Sequence, residues 1–341
     1  MPSAADEIVD AIAAAGGALR FDRYIDSALY GAHGFYTSGG RAGRRGDFLT
    51  APEVGPLFAS VLATWIDAEF RRLGEPAGFE VIEVGAGPGT LARSVQSHWR
   101  AVEHAGHPYT TVESSSVQRT THPDTVTSCE VFPARAVTGV VIANELLDNL
   151  AFRLLVYDGG WREAHVEFRS GRFVEVLAPI DDHPGWLPLT APHGARVPWQ
   201  QQAHDWVAGT IASLAGGRLL CIDYVTARTA ELATTPWREW LRTYRGHERG
   251  VHYLTAPGEQ DITTEVALDQ LPEPDVVRTQ AQFLQRWGID ELVDEGRLAW
   301  EAAAAAPTIA AMKMRSRVRE AEALLDPTGL GAFLALEWAV G

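Results

Sequence analysis

The sequence predicts an α/β protein built on a mostly parallel, doubly wound sheet, with an N-terminal helical extension and an antiparallel β insertion. Three observations predict it. The apolar run Phe79-Glu80-Val81-Ile82-Glu83-Val84 enters a glycine-dense turn and then Thr90-Leu91, residues that can open a helix. Short apolar strands near 79–84, 108–113, 125–128 and 139–143 alternate with helical stretches, the rhythm of βαβ units. After an interruption the same kind of strand returns at 218–224.

From the N-terminus, residues 6–15 and then Phe21, Tyr24, Ile25, Ala28 and Leu29 repeat at helical spacing, so two helices should pack on a larger body as an extension. A loop rich in glycine and arginine occupies 38–46. Thr50-x-x-Glu53, with Pro52 in the first turn, is a capping box, and one long helix is expected from Ala51 to near Gly74. Its apolar face carries Val54, Leu57, Phe58, Val61, Leu62, Trp65 and Phe70. Beyond residue 150 the period changes: 153–157, 161–168 and 172–177 are β segments joined by turns at Asp158-Gly159-Gly160 and Ser170-Gly171. A stretch dense in proline, histidine and glycine, 181–198, closes this insertion. A helix at 199–215 and Gly216-Gly217 then lead back into the parallel sheet. Residues 226–262 read as a long loop of weak internal structure, a functional lid or a disordered segment. A helix near 263–271, a strand near 275–279, helices to about 325 and a strand at 333–338 complete the pattern, with no internal repeat. The domain plan is a helical extension at 1–75, the first part of the α/β core at 76–150, the insertion at 151–198 and the second part of the core at 199–341.

The spacing within the turn selects the ligand class. A dinucleotide site wants G-x-G-x-x-G with pyrophosphate on the helix N-terminus, but here Gly85, Gly87 and Gly89 follow one another at every second position, with Ala86 between the first two. Glycines so placed let backbone approach a ligand with no Cβ in the way. An acidic residue in the strand, Glu83, before G-x-G-x-G is the pattern of S-adenosylmethionine (SAM) sites, whose ligand is cationic and has no phosphate. A second strand near 108–113 ends in Glu113, suited to accept hydrogen bonds from two ribose hydroxyls. The expected cofactor is therefore SAM, held by Glu83, Gly85, Ala86, Gly87, Gly89 and Glu113. The alternatives are that the glycines serve only as turn formers and that Glu113 is a solvated strand end.

Composition narrows the remainder. With 341 residues, 46% of them hydrophobic, the chain can bury a large core. No run approaches the ~18 apolar residues of a membrane helix, and the first residues lack the order of a signal peptide, so a soluble cytoplasmic protein is expected, with no membrane partner. A formal charge of −15 repels nucleic acid, and no basic patch interleaved with aromatics offsets it. The two cysteines, Cys129 and Cys221, form neither a disulfide framework nor a C-x-x-C spacing, and both are expected to be buried thiols. Among 11 histidines, His33, His247 and His252 lie near motifs without ligand spacing, so no metal is expected.

Five motifs carry a family resemblance: Gly46 to Glu53, Glu83 to Leu91, Val141 to Asp148, Ile222-Asp223-Tyr224 and Pro257 to Thr263. In order and spacing they resemble the MidA-like SAM-dependent methyltransferases, over roughly residues 20 to 338. The resemblance implies a SAM-methyltransferase (Rossmann-like) fold and a protein arginine methyltransferase, since the mitochondrial members are associated with methylation of a protein arginine and assist assembly of respiratory complex I. The implied partner is a protein presenting an arginine. Two departures fall near the implied substrate pocket: Asp148-Asn149-Leu150-Ala151 lacks the family's proline, and Val225 stands where glycine is usual.

Transfer of a methyl group from a sulfonium to a guanidinium requires in-line positioning and carboxylates that grip the cation. Asn144, Glu145 and Asp148 follow a strand of an open α/β sheet, at the end where ligands bind, and are the candidate catalytic residues. The alternative is that Asn144 caps the next helix and Asp148 is solvated on it. Asp47 and Thr50 could fold over the cofactor, or Thr50 and Glu53 could serve only as the helix cap. Asp223 and Tyr224 could line the acceptor pocket or make ordinary strand-end bonds, and Asp261 and Thr263 suit a helix N-cap. Three further readings stay open: a catalytically inactive scaffold or assembly factor on the same fold, a methyltransferase acting on a small molecule, and a nicotinamide oxidoreductase, which the glycine spacing disfavours.

Overall fold

The computed structural model describes residues 2–38, 50–246, 248–306 and 308–341. The chain divides into two compact units, each assembled from three segments. We call Leu49–Glu145, Thr210–Asp223 and Pro274–Gly341 the sheet unit, and Met1–Phe48, Leu146–Gly209 and Tyr224–Glu273 the insertion unit.

The sheet unit contains seven strands: β1 (Glu80–Val84), β2 (Tyr109–Val112), β3 (Thr127–Cys129), β4 (Val137–Asn144), β5 (Leu214–Asp223), β6 (Val276–Thr279) and β7 (Leu334–Val340). Their order is β6-β7-β5-β4-β1-β2-β3. Neighbours from β3 to β5 are parallel, and β7 runs antiparallel to both β5 and β6. Strands covered on both faces lose the apolar-polar alternation, which is why β1 is buried at all five positions and β4 at Val140 to Ala143. The fold class read from the sequence is the one observed.

The long helix expected from Ala51 is instead two, Ala51–Val54 and Pro56–Arg72. Proline disfavours helical backbone in the residue before it, and Gly55 is fully extended. The Leu57 amide at the new helix start finds its acceptor in Glu320, 2.9 Å away on the helix Ile309–Leu324. A Cβ on Gly55 would lie 2.2 Å from that carboxyl group, so glycine is required for the cap to reach. Thr50 does occupy an N-cap position, but its side chain makes no capping bond, so the expected capping box is not formed.

The insertion unit holds the antiparallel sheet, formed by Leu19–Arg20, Arg153–Tyr157, Trp161–Arg169, Arg172–Pro179 and Arg196–Trp199. The helices Ala4–Ala14 and Phe21–Tyr30 are part of its core rather than an appendage. Ile8, Ile12, Phe21, Tyr24 and Ile25 pack in one cluster with Phe152, Leu155, Trp161, Trp240 and Tyr253. The boundaries at residues 75, 150 and 198 therefore follow the chain in order, whereas the compact units take alternating segments of it.

Four further expectations are corrected here. Residues 226–262 contain the short helices Thr229–Leu232 and Trp237–Trp240 and two strands, Leu241–Arg245 and Glu248–Arg249, that join Asp261–Thr264 in a three-stranded sheet. In place of the helix expected at 263–271 stand strand residues to Ala267 and a single 3₁₀ turn, Leu268–Gln270. The β-branched residues Ile262, Thr263 and Thr264 pair with Thr243, Arg242 and Leu241, and strand pairing outweighs the helical pattern of the sequence. Asp261 and Thr263 are consequently buried strand residues and not helix caps. Cys221 is buried as expected, whereas Cys129 is only partly so. Among the described residues no helix is long and apolar enough to cross a membrane.

Candidate active site

Strand register places the candidate residues in a row. Val112 pairs with Val84, Val84 with Ala143, and Asn144 with Ile222. The next residues of β2, β1, β4 and β5 are therefore Glu113, Gly85, Asn144-Glu145 and Asp223, emerging side by side at the carboxyl edge of the sheet. With neighbouring strands ~4.8 Å apart, the row spans roughly 15 Å. That edge is where open α/β sheets bind their ligands.

The turn after β1 holds Gly85, Gly87 and Gly89 at φ of 70, 52 and 74°, backbone that side-chain-bearing residues seldom adopt. Gly89 is the N-cap of the helix Thr90–Ala101. Glu113 is fastened to this turn: one carboxylate oxygen accepts the Gly87 amide at 2.9 Å and the other the Ser115 amide at 2.8 Å. It is no solvated strand end. Burial raises its pKa, against the opposing pull of the Ser115 and Gly87 amides.

Glu83 lies below the turn, buried in β1, and accepts the Tyr109 hydroxyl at 2.7 Å. Burial pushes its carboxyl up to about 8, while Tyr109 and the Ala92 amide favour the charged form less strongly. Burial also raises the Tyr109 phenol far above its ordinary range. At neutral pH Glu83 is thus predominantly protonated in the free protein.

At the end of β4 the chain turns without glycine. Glu145 has φ of 51°, its amide donates to the Ile222 carbonyl at 2.8 Å, and its half-buried carboxylate accepts the Asn144 side-chain amide at 3.1 Å. The Asn144 Oδ1 is buried and has no hydrogen-bond partner among the described residues. Asn144 caps no helix, because the turn that follows is a 3₁₀ segment, Leu147–Asn149, whose N-cap is Leu146.

Asp148, three residues on, belongs to the insertion unit and is buried, contrary to a solvated helix position. Its oxygens accept Thr263 Oγ1 at 2.5 Å and Asn149 Nδ2 at 2.9 Å. Burial raises the carboxyl to about 6, opposed by those two bonds. The Tyr36 hydroxyl lies 3.0 Å from Asn149 Oδ1 and 2.9 Å from Asp261 Oδ1, so Asp148, Asn149, Asp261, Thr263 and Tyr36 form one buried polar network. Tyr36 belongs to no local motif, and Asn149, which lies in the departure that follows Asp148, is not among the site residues expected from the sequence. Asp223 is buried at the edge of the sheet unit. Tyr224, in the insertion unit, accepts the Val266 amide through its carbonyl, an ordinary strand bond. Thr50 is buried at the start of Ala51–Val54, and Asp47 lies outside the described residues.

Among the described residues one trio, Asp67, His104 and His107, brings possible metal-ligand atoms within 4.8 Å of one another. The Gly106 amide donates to His104 Nδ1 at 2.9 Å. The His104 proton therefore sits on Nε2, 3.8 Å from Asp67, while His107 Nε2 lies 3.1 Å from the same carboxylate oxygen and is its hydrogen-bond partner.

A glycine-rich turn at the carboxyl edge of a mostly parallel sheet, with the buried acidic residues Glu83 and Glu113 below and beside it, defines a SAM-methyltransferase fold and a SAM site. Residues 61–285 match the family model "Putative S-adenosyl-L-methionine-dependent methyltransferase", and the chain belongs to that family. The structure is similar to that of a likely methyl transferase from Burkholderia thailandensis bound to S-adenosyl-homocysteine. The TM-score is 0.84 at 27% identity, over 99% of this chain and 92% of that one. A mitochondrial protein arginine methyltransferase of Danio rerio is 24% identical over 335 residues, 81% of this chain and 74% of that protein. A homologue of that enzyme in Drosophila melanogaster is 42% identical over 62 residues, covering 18% of this chain and only 14% of the fly protein.

Proposed function

We propose that the protein transfers the methyl group of SAM to a guanidinium nitrogen of an arginine on a partner protein. The observation that carries this reading is the row along the sheet edge. The cofactor turn and the Glu145 carboxylate leave adjacent, paired strands. The names of the relatives from Danio rerio and Drosophila melanogaster support arginine as the acceptor.

The residues fit the cofactor. A Cβ on Gly87 would meet Gln118 Oε1 at 3.3 Å and one on Gly89 would meet His122 at 3.0 Å, so the turn is a tight cradle whose walls leave no room for side chains at these positions. Gly85, Ala86, Gly87 and Gly89 would present backbone to SAM, Glu113 would take its ribose hydroxyls, and Glu83 supports the turn from within the strand. Bound SAM supplies an electrophilic methyl group on a sulfonium. The chain's own residues do the rest. Glu145 holds the guanidinium by charge-assisted hydrogen bonds and draws its positive charge away from the attacking nitrogen. Asn144 orients that carboxylate by donating its side-chain amide to Glu145 Oε1. Alignment of the nucleophile with the methyl group provides much of the acceleration. Asp148 stays within its own network and supports the backbone that follows Glu145.

Calorimetric titration with SAM and S-adenosylhomocysteine, with NADH as control, followed by mass spectrometry of arginine-containing peptides and their lysine counterparts, tests the proposal. The expected result is saturable binding of the two sulfur ligands and a methyl mass increment on arginine alone. Binding without transfer to any arginine would move the acceptor to a small molecule. Absence of binding would favour a scaffold that kept the fold.

A further inference from the structure

We propose that His122 is a positioning residue for the cofactor turn, holding the carbonyl of Gly87 while Glu113 holds its amide. This rests on the reading that the turn carries SAM. His122 Nε2 lies 2.8 Å from the Gly87 carbonyl oxygen. A carbonyl only accepts, so this ring nitrogen carries the proton. The other nitrogen, Nδ1, lies 2.8 Å from both Thr111 Oγ1 on β2 and Ser128 Oγ on β3. The imidazole is thus oriented by two strands and points its N–H at the turn. It also stands against Gly89, where a Cβ would come within 3.0 Å of the ring.

Gly87 is the residue at which orientation matters most. A glycine leaves the peptide planes on either side of it free to rotate, and here both are fixed from outside, by Glu113 Oε2 on the amide and His122 on the carbonyl. The following carbonyl, that of Pro88, is held in the same way by Thr121 Oγ1 at 3.0 Å and Arg93 at 3.2 Å. The segment from Glu113 to His122 therefore acts as the second half of the cofactor site. It fixes the direction of backbone groups that the ligand meets, without its histidine touching the reacting atoms.

The test pairs His122→Ala with His122→Gln, whose side-chain amide can still donate to the Gly87 carbonyl and accept from Thr111 or Ser128. In the free protein, hydrogen exchange of the peptide spanning 85–89 should rise in the alanine variant and return to the wild-type rate with glutamine. S-adenosylhomocysteine affinity measured by calorimetry should fall about tenfold in the alanine variant and stay within about threefold of wild type with glutamine. Equal exchange in wild type and His122→Ala, or an equal loss of affinity in the two variants, would overturn the proposal. Wild-type protein that fails to bind S-adenosylhomocysteine would instead refute the cofactor reading, and the exchange comparison would still decide the role of His122.

Discussion

The turns that follow β1 and β4 leave neighbouring strands at the same edge of the sheet, and both need left-handed backbone, but they meet that need differently. After β1 the left-handed positions are glycines, and after β4 the position is Glu145. Glycine adopts that backbone without steric strain and brings no Cβ toward a ligand. A glutamate at φ of 51° costs of order 1 kcal/mol and keeps a carboxylate in place. The first turn offers backbone and the second offers a side chain. Glu75, Glu103, Ser170 and Ala256 share this backbone, and what sets Glu145 apart is its place beside the glycine turn at the carboxyl edge of the sheet.

Four substitutions probe this contrast. Gly87→Val should abolish SAM binding in calorimetry, because a branched side chain would enter the cradle on a left-handed backbone; measurable affinity would mean that the ligand lies elsewhere. Glu145→Gln should lower turnover by roughly 10²-fold, the scale of losing a preorganised electrostatic contact, while SAM affinity stays within about threefold. Loss of SAM binding in that variant would place Glu145 on the cofactor side. Tyr109→Phe removes a hydrogen bond to the buried Glu83 and should cost about 1–2 kcal/mol in denaturant unfolding. Glu145→Gly should leave stability unchanged or raise it by up to ~1 kcal/mol, since strain relief and added chain entropy oppose each other. A clear loss of stability there would show that the carboxylate is structural.

Acidity gives a further handle. The Glu83 carboxyl is raised from 4.5 to about 8 in the folded chain, mainly by burial. Between those values the folded state binds a proton that the unfolded state has released, so this group makes stability fall as pH rises from about 4.5 to about 8. Glu83→Gln, which stays neutral, should flatten that part of the Tm profile. An unchanged slope would assign the dependence to other groups.

The sequence shows the sheet, the glycine turn and the insertion because each is local: strand, turn and helix succeed one another within a short stretch of chain. It hides whatever depends on distant partners. Trp240, Tyr253 and Ile262 are buried in a core shared with Phe21 and Phe152, and no pattern within 226–262 announces that company. The Leu57 amide meets Glu320 across 263 positions, and the break at Gly55 follows from that pairing as much as from Pro56. His122 belongs to no local motif. Its neighbours in space are Gly87 and Gly89, and only the parallel pairing of β2 with β1 and β3 brings the imidazole to them.

The position of β7 has a consequence for how the protein is made. Its seven residues, Leu334–Val340, lie between β5 and β6, which are both translated earlier. While the chain is still emerging from the ribosome, β5 and β6 each present an unpaired edge, the kind of surface that recruits stray strands. A single late segment closes both edges at once. Until it has been made, neither β5 nor β6 has the partner that joins them in the finished sheet.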